Sequence, residues 1–545
     1  MPVPFNLINQ QPLINGVDKN CLWYYNPNMK NLPVGMQVFR DLIQGDYLYV
    51  DKTEKIYELF AKGGRYYFLS RPRRFGKSLL ISTLAELFAG NKDLFKGLWI
   101  YDKIQWAKHP VLYLDLSKIS YKTPEILEKA LDNWIEKSAA DYDVSLELGL
   151  FLKEKFDRLL EKLSQNQKVV LLIDEYDKPI IEFVEADDIE IAQNNRNVLK
   201  NFYNVIKSSG AYLRFVFITG VSKFSKVSVF SDLNNLRDIT LSRQFATLLG
   251  YSETELQKYF LPYLDAMAHE TGVTKKELKE DIRQWYDGYS WDGKNFVYNP
   301  FSILSLFTER SFENYWFSTG TPGFLIQALK KQQSDITGLE NLTVGSHAFD
   351  SYDIENMEIA PLLFQTGYLT IKQVHTAPDK KKTYRLSYPN KEVRESFLTY
   401  LFREYTVKDL GLSAQILTRI NTAIEKDDLE GFIREIKSLF ASIPYHIFIG
   451  EREAYYHTVI YLVLILTNAV VEVENPTNTG RIDAVLETEN KIIIMEFKMG
   501  SARSALEQIK QKNYREKYLN RGKELVLMGI GFDAEKRNIG DYLIE

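Results

Sequence analysis

Residues 66–90 constrain this chain more than any other stretch. Tyr66-Tyr67-Phe68-Leu69 is a short apolar run of strand character that leads into Ser70-Arg71-Pro72-Arg73-Arg74-Phe75-Gly76-Lys77-Ser78. Leu79, Leu80, Leu84, Leu87 and Phe88 then recur at helical spacing, and Gly90 supplies a stop. Strand, tight turn and helix in that order aim the N–H groups of a helix N-terminus at one point, which suits a phosphate. Lys77 adds an ammonium and Ser78 a hydroxyl for a divalent cation. The pattern G-x-x-x-x-G-K-[ST] asks for glycine at position 71, where this chain has Arg71. Gly76-Lys77-Ser78 alone is a weak signal, so the reading needs a second motif.

Val169-Val170-Leu171-Leu172-Ile173-Asp174-Glu175 provides it. Five consecutive apolar residues suit a strand buried on both faces. Asp174 at its end would hold Mg²⁺, and Glu175 would polarise an attacking water. A strand ending in solvated acids is the plain alternative; paired with Lys77, ATP binding is the stronger expectation. Strands are also expected from Val111 to Leu116 and from Leu213 to Thr219. Thr219 or Ser222, at the end of the latter, would sense a γ-phosphate or simply cap a strand. Arg237 is either an ordinary surface arginine or one that reaches the nucleotide of another copy, which would require a homo-oligomer.

Arg71 to Leu79 resembles the signature of the bacterial AAA-ATPase-like family, in which arginine replaces the first glycine. Leu32-Pro33-Val34-Gly35, Tyr49-Val50-Asp51-Lys52-Thr53, Asp174-Glu175-Tyr176-Asp177 and Asn234-Asn235-Leu236-Arg237-Asp238-Ile239-Thr240 resemble the same family. The resemblance implies an AAA-type P-loop α/β ATPase domain over residues 32–245, after an extension of 31 residues. It implies a nucleotide held by Arg73, Arg74, Phe75, Gly76, Lys77, Ser78, Leu79, Asp174, Thr219 and Arg237, with Ser78 and Asp174 on the metal and Glu175 catalytic.

With 545 residues the chain exceeds a single core. One cysteine, Cys21, excludes a disulfide framework and Cys-rich metal sites, which fits the cytoplasm. The most apolar run, Val459 to Val471, contains Thr467 and Asn468 and is too short to span a bilayer, so no membrane is expected. A net charge of −4 gives no global attraction for nucleic acid, although a local patch is compatible with it.

The middle, residues 246–430, is expected to be helical. Ser252-Glu253-Thr254-Glu255 is a capping box. Three aromatic turns, Trp285-Tyr286-Asp287-Gly288-Tyr289, Tyr298-Asn299-Pro300-Phe301-Ser302 and Trp316-Phe317-Ser318-Thr319-Gly320-Thr321-Pro322, also resemble the AAA-ATPase-like family. They suit either a stacking surface for nucleic acid or the core of a lid, and the lid is preferred.

From residue 431 onward the character changes. A helix beginning at Glu453 carries His457, Ile460, Leu462 and Leu464, and a strand from Ala469 to Val473 follows. Gly480-Arg481-Ile482-Asp483-Ala484-Val485-Leu486 and Ile492-Ile493-Ile494-Met495-Glu496-Phe497-Lys498 flank Glu489-Asn490. If Glu489-Asn490 is a two-residue turn, Asp483 falls opposite Glu496 across the ladder and Lys498 shares their face. Two carboxylates would hold Mg²⁺ while the lysine activates water and stabilises charge in phosphodiester hydrolysis. A register slip of one would break the set. Glu496 and Lys498 interrupt a strongly apolar run, where unpaired charge is costly, and that favours a site over a solvated hairpin. A basic stretch from Lys498 to Lys523, with Lys510, Lys512, Arg515 and Lys517 on an expected helix, would meet phosphates or solvent.

The block resembles the PD-(D/E)XK nuclease superfamily, with an α/β restriction-endonuclease-like fold. By that resemblance Glu453, Asp483 and Glu496 are metal ligands, Lys498 is the catalytic lysine, and Gln508 is the polar residue of the next helix. His457 would support the site or pack. Ile482 stands where the superfamily has proline. The whole chain is expected to be an ATP-binding protein, an ATPase, coupled to a Mg²⁺-dependent nuclease acting on nucleic acid, DNA before RNA. Defence or mobile-element handling is the expected setting. A nucleotide-gated regulator with an inactive nuclease fold is the alternative.

Overall fold

A computed structural model describes residues 29–61, 63–184, 188–223, 235–317, 325, 328–329, 336–349, 358–406, 410–444, 453–467, 469–476 and 481–545. Its N-terminal part is a parallel five-stranded sheet in the order β2-β3-β4-β1-β5. The strands are β1 (Tyr66–Ser70), β2 (Val111–Asp115), β3 (Val169–Asp174), β4 (Leu213–Gly220) and β5 (Arg237–Asp238). Side chains alternate across it as a sheet covered on both faces requires. Val170, Leu172, Phe215 and Phe217 pack with α1 (Lys77–Phe88). Leu171, Ile173, Val216 and Ile218 face α2 (Pro124–Asp141), α3 (Leu152–Leu163) and α4 (Ile189–Ser208). Because β4 lies between β1 and β3, the C-terminal ends of all three strands meet at one crevice, the usual ligand position in an open α/β sheet.

The middle is largely helical: α5 (Glu253–Tyr259), α6 (Leu261–Thr271), α7 (Lys275–Tyr286), α8 (Pro300–Glu309), α9 (Ile359–Thr366), α10 (Lys391–Tyr405), α11 (Leu410–Glu425) and α12 (Leu429–Ser442). The expected capping box forms, with Ser252 accepting from the Glu255 N–H and Glu255 accepting from the Ser252 N–H. The helical expectation omitted an antiparallel sheet in the order β6-β8-β7, made of β6 (Leu342–Gly345), β7 (Thr370–Thr376) and β8 (Lys382–Ser387). Those strands are short and mostly solvent-facing, so Lys- and Thr-rich sequence carries no apolar alternation to read. In the described parts of the aromatic turns Tyr286, Tyr289, Tyr298 and Trp316 are almost wholly buried, so these rings serve core packing rather than a stacking surface.

The C-terminal sheet runs β13-β12-β11-β10-β9, comprising β9 (Val470–Pro476), β10 (Arg481–Glu487), β11 (Lys491–Met499), β12 (Glu524–Asp533) and β13 (Asn538–Ile544). Only β11 and β12 are parallel, and the crossover between them contains α14 (Ala502–Gln511). Ile493, Met495 and Phe497 face the side of α13 (Glu453–Ile465), whereas Ile492 and Ile494 pack under α14 with Leu506 and Ile509. α14 packs closely on β12, where a Cβ on Gly529 would lie 2.4 Å from the Ala502 carbonyl oxygen. No helix among the described residues is long and apolar enough to cross a membrane.

Candidate active sites

The turn after β1 forms one wall of a cavity of about 650 Å³, lined by Arg73, Arg74, Phe75, Gly76, Lys77, Ser78 and Leu79. Gly76 has φ +87°, a left-handed conformation that lets the loop enter α1 without a Cβ penalty. Lys77 is buried, and its Nζ donates to the carbonyls of Arg71 (3.0 Å) and Pro72 (2.9 Å). Burial lowers its pKa against the opposing pull of Asp174, Glu175 and Asp177.

Arg71 explains how this turn dispenses with its first glycine. The side chain donates to the Ser70 and Thr240 carbonyls and lies 3.8 Å over the Trp291 ring. Burial brings its pKa down to about 9, with Asp238 and Asp292 opposing. Phe75 packs edge-on to Tyr289 and Trp291. The middle region therefore braces the turn.

At the end of β3, Asp174 is fully buried and accepts from the Thr219 hydroxyl at 2.5 Å. Glu175 lines the cavity at φ +49°, and burial raises its pKa. Ser222 donates to Asp177 through both its N–H (2.7 Å) and its hydroxyl (2.8 Å). Both proposed sensors are thus tied to an acid of the Asp-Glu-Tyr-Asp run. Asp177 thereby has a structural role that no sequence pattern signals. Arg237 is not brought to this cavity. It lies near the start of β1, over the rings of Tyr67 and Phe245, and borders a separate hollow with Glu58 and Gln244. Within one chain it is remote from Lys77, because β5 pairs with the beginning of β1 rather than its end.

In the C-terminal sheet the turn at Glu489-Asn490 closes by Thr488 N–H to the Lys491 carbonyl at 2.9 Å. Ala484 pairs with Met495 and Leu486 with Ile493, which is the expected register. One step further along that ladder, Asp483 stands beside Glu496 and accepts the Phe497 N–H at 2.8 Å. Glu496 is buried, Lys498 Nζ lies 4.0 Å from its Oε1, and Gln508 Nε2 bonds the same oxygen. Desolvation, then Asp483, push the Glu496 carboxyl up to about 8, with Lys498 and Gln508 opposing. Its Oε2 is buried without a hydrogen-bond partner among the described residues. Hard oxygen donors, one of them unsatisfied, fit a divalent cation that would take up that oxygen and the shared charge.

The α13 helix begins at Glu453, whose side chain falls outside the described residues. Among the described residues no three His, Cys, Asp or Glu side chains converge on one point. His457 packs edge-on to Phe497, on the sheet face opposite Glu496. The basic stretch is not one helix. α14 ends at Gln511, Asn513 takes φ +51°, and Arg515 and Lys517 belong to the 3₁₀ segment Tyr514–Arg521. Lys510 pairs with Glu545, and Arg521 and Lys523 pair with Glu487, so part of its charge is neutralised.

A parallel 2-3-4-1-5 sheet with this lysine turn, followed by an acid–acid–lysine set on a mixed sheet, defines an AAA-ATPase-like domain joined to a PD-(D/E)XK nuclease-like domain. A family model described as Predicted AAA-ATPase matches residues 33–230, and one described as PD-(D/E)XK nuclease superfamily matches 451–542. The chain belongs to the AAA-ATPase-like family and carries a C-terminal domain of the PD-(D/E)XK nuclease superfamily. It is 37% identical over 531 residues to a protein of Azotobacter chroococcum mcd 1 described as "Uncharacterized protein in vnfD 5'region", spanning 95% of this chain and 99% of that one.

Proposed function

We propose that this protein binds and hydrolyses ATP in the Lys77 cavity, and that its nucleotide state controls Mg²⁺-dependent cleavage of nucleic acid, DNA before RNA, at Asp483, Glu496 and Lys498. The observation that carries the nuclease half is the meeting of these three side chains with Gln508 on one sheet face. The ATP half rests on a buried lysine facing Glu175 in a cavity of nucleotide size.

In the first site Lys77 exchanges its two loop carbonyls for phosphate oxygens, with Arg73 and Arg74 adding positive charge at the rim. Ser78 and Asp174 would hold Mg²⁺ there. Glu175, made more basic by burial, accepts a proton from the attacking water. In the second site Asp483 and Glu496, with Glu453 as a further candidate, would hold the ion. Bound Mg²⁺ supplies charge neutralisation at the phosphodiester and a more acidic water. Lys498 orients the attacking water and stabilises the charge that develops on the phosphoryl oxygens, and Gln508 holds Glu496 in place. The pairing suits genome defence or the handling of mobile elements in the cytoplasm.

The test is to incubate the purified protein with plasmid, single-stranded DNA and RNA, with and without ATP and Mg²⁺. Lys498→Ala should abolish cutting, and Lys77→Ala should abolish only its response to ATP. Cutting that survives Lys498→Ala would remove the C-terminal site from the mechanism.

A further inference from the structure

Glu392 is a carboxylate with no exposure, placed at the start of α10 and used by neither site. A buried carboxylate persists only where its oxygens find donors. Its Oε2 takes the Ser302 hydroxyl at 2.9 Å and its Oε1 takes the Trp316 N–H at 2.6 Å. Glu392 thereby fixes two of the aromatic turns against one helix end. From that anchored position the Trp316 indole Nε1 donates to the Arg73 carbonyl at 3.1 Å, inside the phosphate turn. The same ring packs edge-on to Tyr368, which packs on Phe397 of α10.

The other end of α10 has a matching contact. The carbonyl of Tyr405, the last helical residue, accepts the Tyr455 hydroxyl at 2.6 Å. Tyr455 belongs to the first turn of α13, the helix that opens with Glu453, and the Tyr405 and Tyr455 rings stack at 6.4 Å. With 15 residues, α10 is a rod of about 22 Å between these two bonds.

We propose that Trp316 and Glu392 are positioning residues of the phosphate turn, and that α10 passes the state of that turn to α13 of the nuclease-like domain. The two-state element is Lys77. It holds the Arg71 and Pro72 carbonyls, and phosphate oxygens compete for the same ammonium. Releasing those carbonyls changes the loop one residue before the carbonyl that Trp316 grips. The inference deepens the proposed function, since it rests on ATP binding at Lys77 and names how that site regulates the other.

Hydrogen exchange on the full chain, with and without ATP and Mg²⁺, tests it without requiring nuclease activity. In the wild type, ATP should slow exchange in residues 71–80 and change it by about fivefold in 391–405 and 453–465. Tyr455→Phe should erase the response of 453–465 alone. Trp316→Phe keeps a ring but no N–H donor, and should erase the response of both helices. Glu392→Gln still offers one acceptor and one donor and should behave like the wild type, whereas Glu392→Ala should not. A merely structural role would not separate Gln from Ala in a nucleotide-dependent difference. Protection at 71–80 with no change at 453–465, or an equal change in Tyr455→Phe, overturns the relay and leaves ATP binding standing. No protection at 71–80 overturns the ATP reading and the relay with it.

Discussion

The walls around Lys77 come from residues as distant as Met36, Glu175, Ser222, Phe301 and Trp316, whereas Glu496 is surrounded by Asp483, Lys498 and Gln508. The first site is assembled by tertiary packing and braced by Trp291, Tyr289 and Trp316. The second is set by one hairpin and the next helix. A site built from one short stretch depends on register, and a site built from many stretches depends on the packing that brings them together. The two should therefore fail differently when damaged.

The largest effect should come from the brace. Trp291→Ala removes a 4%-exposed ring from beneath Arg71 and Phe75 and should cost about 3–5 kcal/mol in urea unfolding. An unchanged midpoint would break the contrast between a packed site and a local one. Lys498→Ala removes a half-exposed side chain from the hairpin and should leave stability nearly unchanged. It should lower the cleavage rate by about 10²–10³-fold, roughly 2.7–4 kcal/mol at the transition state. Lys77→Ala should weaken nucleotide binding by about 1.5–3 kcal/mol, read by titration with a fluorescent ATP analogue. Equal affinity in wild type and variant would place the nucleotide elsewhere.

The smallest effect sharpens the role of the middle region. Burial pushes the Glu392 carboxyl up to about 8 from an ordinary 4.5, with no cationic partner among the described residues; Tyr286, Tyr289 and Tyr315 lie around it. The folded protein therefore keeps a proton that the unfolded chain has released. The stability this contributes is complete below about pH 4.5 and is lost as pH rises through about 8. Glu392→Gln should flatten the fall in urea midpoint between pH 6 and pH 9 without changing the midpoint at the acidic end. An identical slope in both proteins would mean Glu392 stays ionised.

Much of the chain was legible because its signals are local. Val169 to Ile173 reads as a strand covered on both faces, and both faces are covered. The Glu489-Asn490 turn fixes the hairpin register, because a two-residue loop leaves few alternatives. The three-stranded sheet of the middle was not legible, since its strands bury too few side chains to show a period. The basic stretch reads as one helix only because composition does not reveal that Asn513 turns left-handed. Trp316 and Glu392 carried no signal linking them to the phosphate turn, being separated from it by more than 200 residues of chain.

By itself, the sequence determined the lysine turn, the strands that feed it and the order of acids and lysine along the last hairpin. Short-range geometry settles these: strand alternation, helix period and turn length act over a few residues. Only the tertiary structure decided that Arg71 stacks on Trp291, that Arg237 stays away from Lys77, and that α10 runs from the Trp316 contact to α13. Each of those outcomes depends on which buried surface meets which across distant segments, and close packing selects among partners that no local pattern specifies.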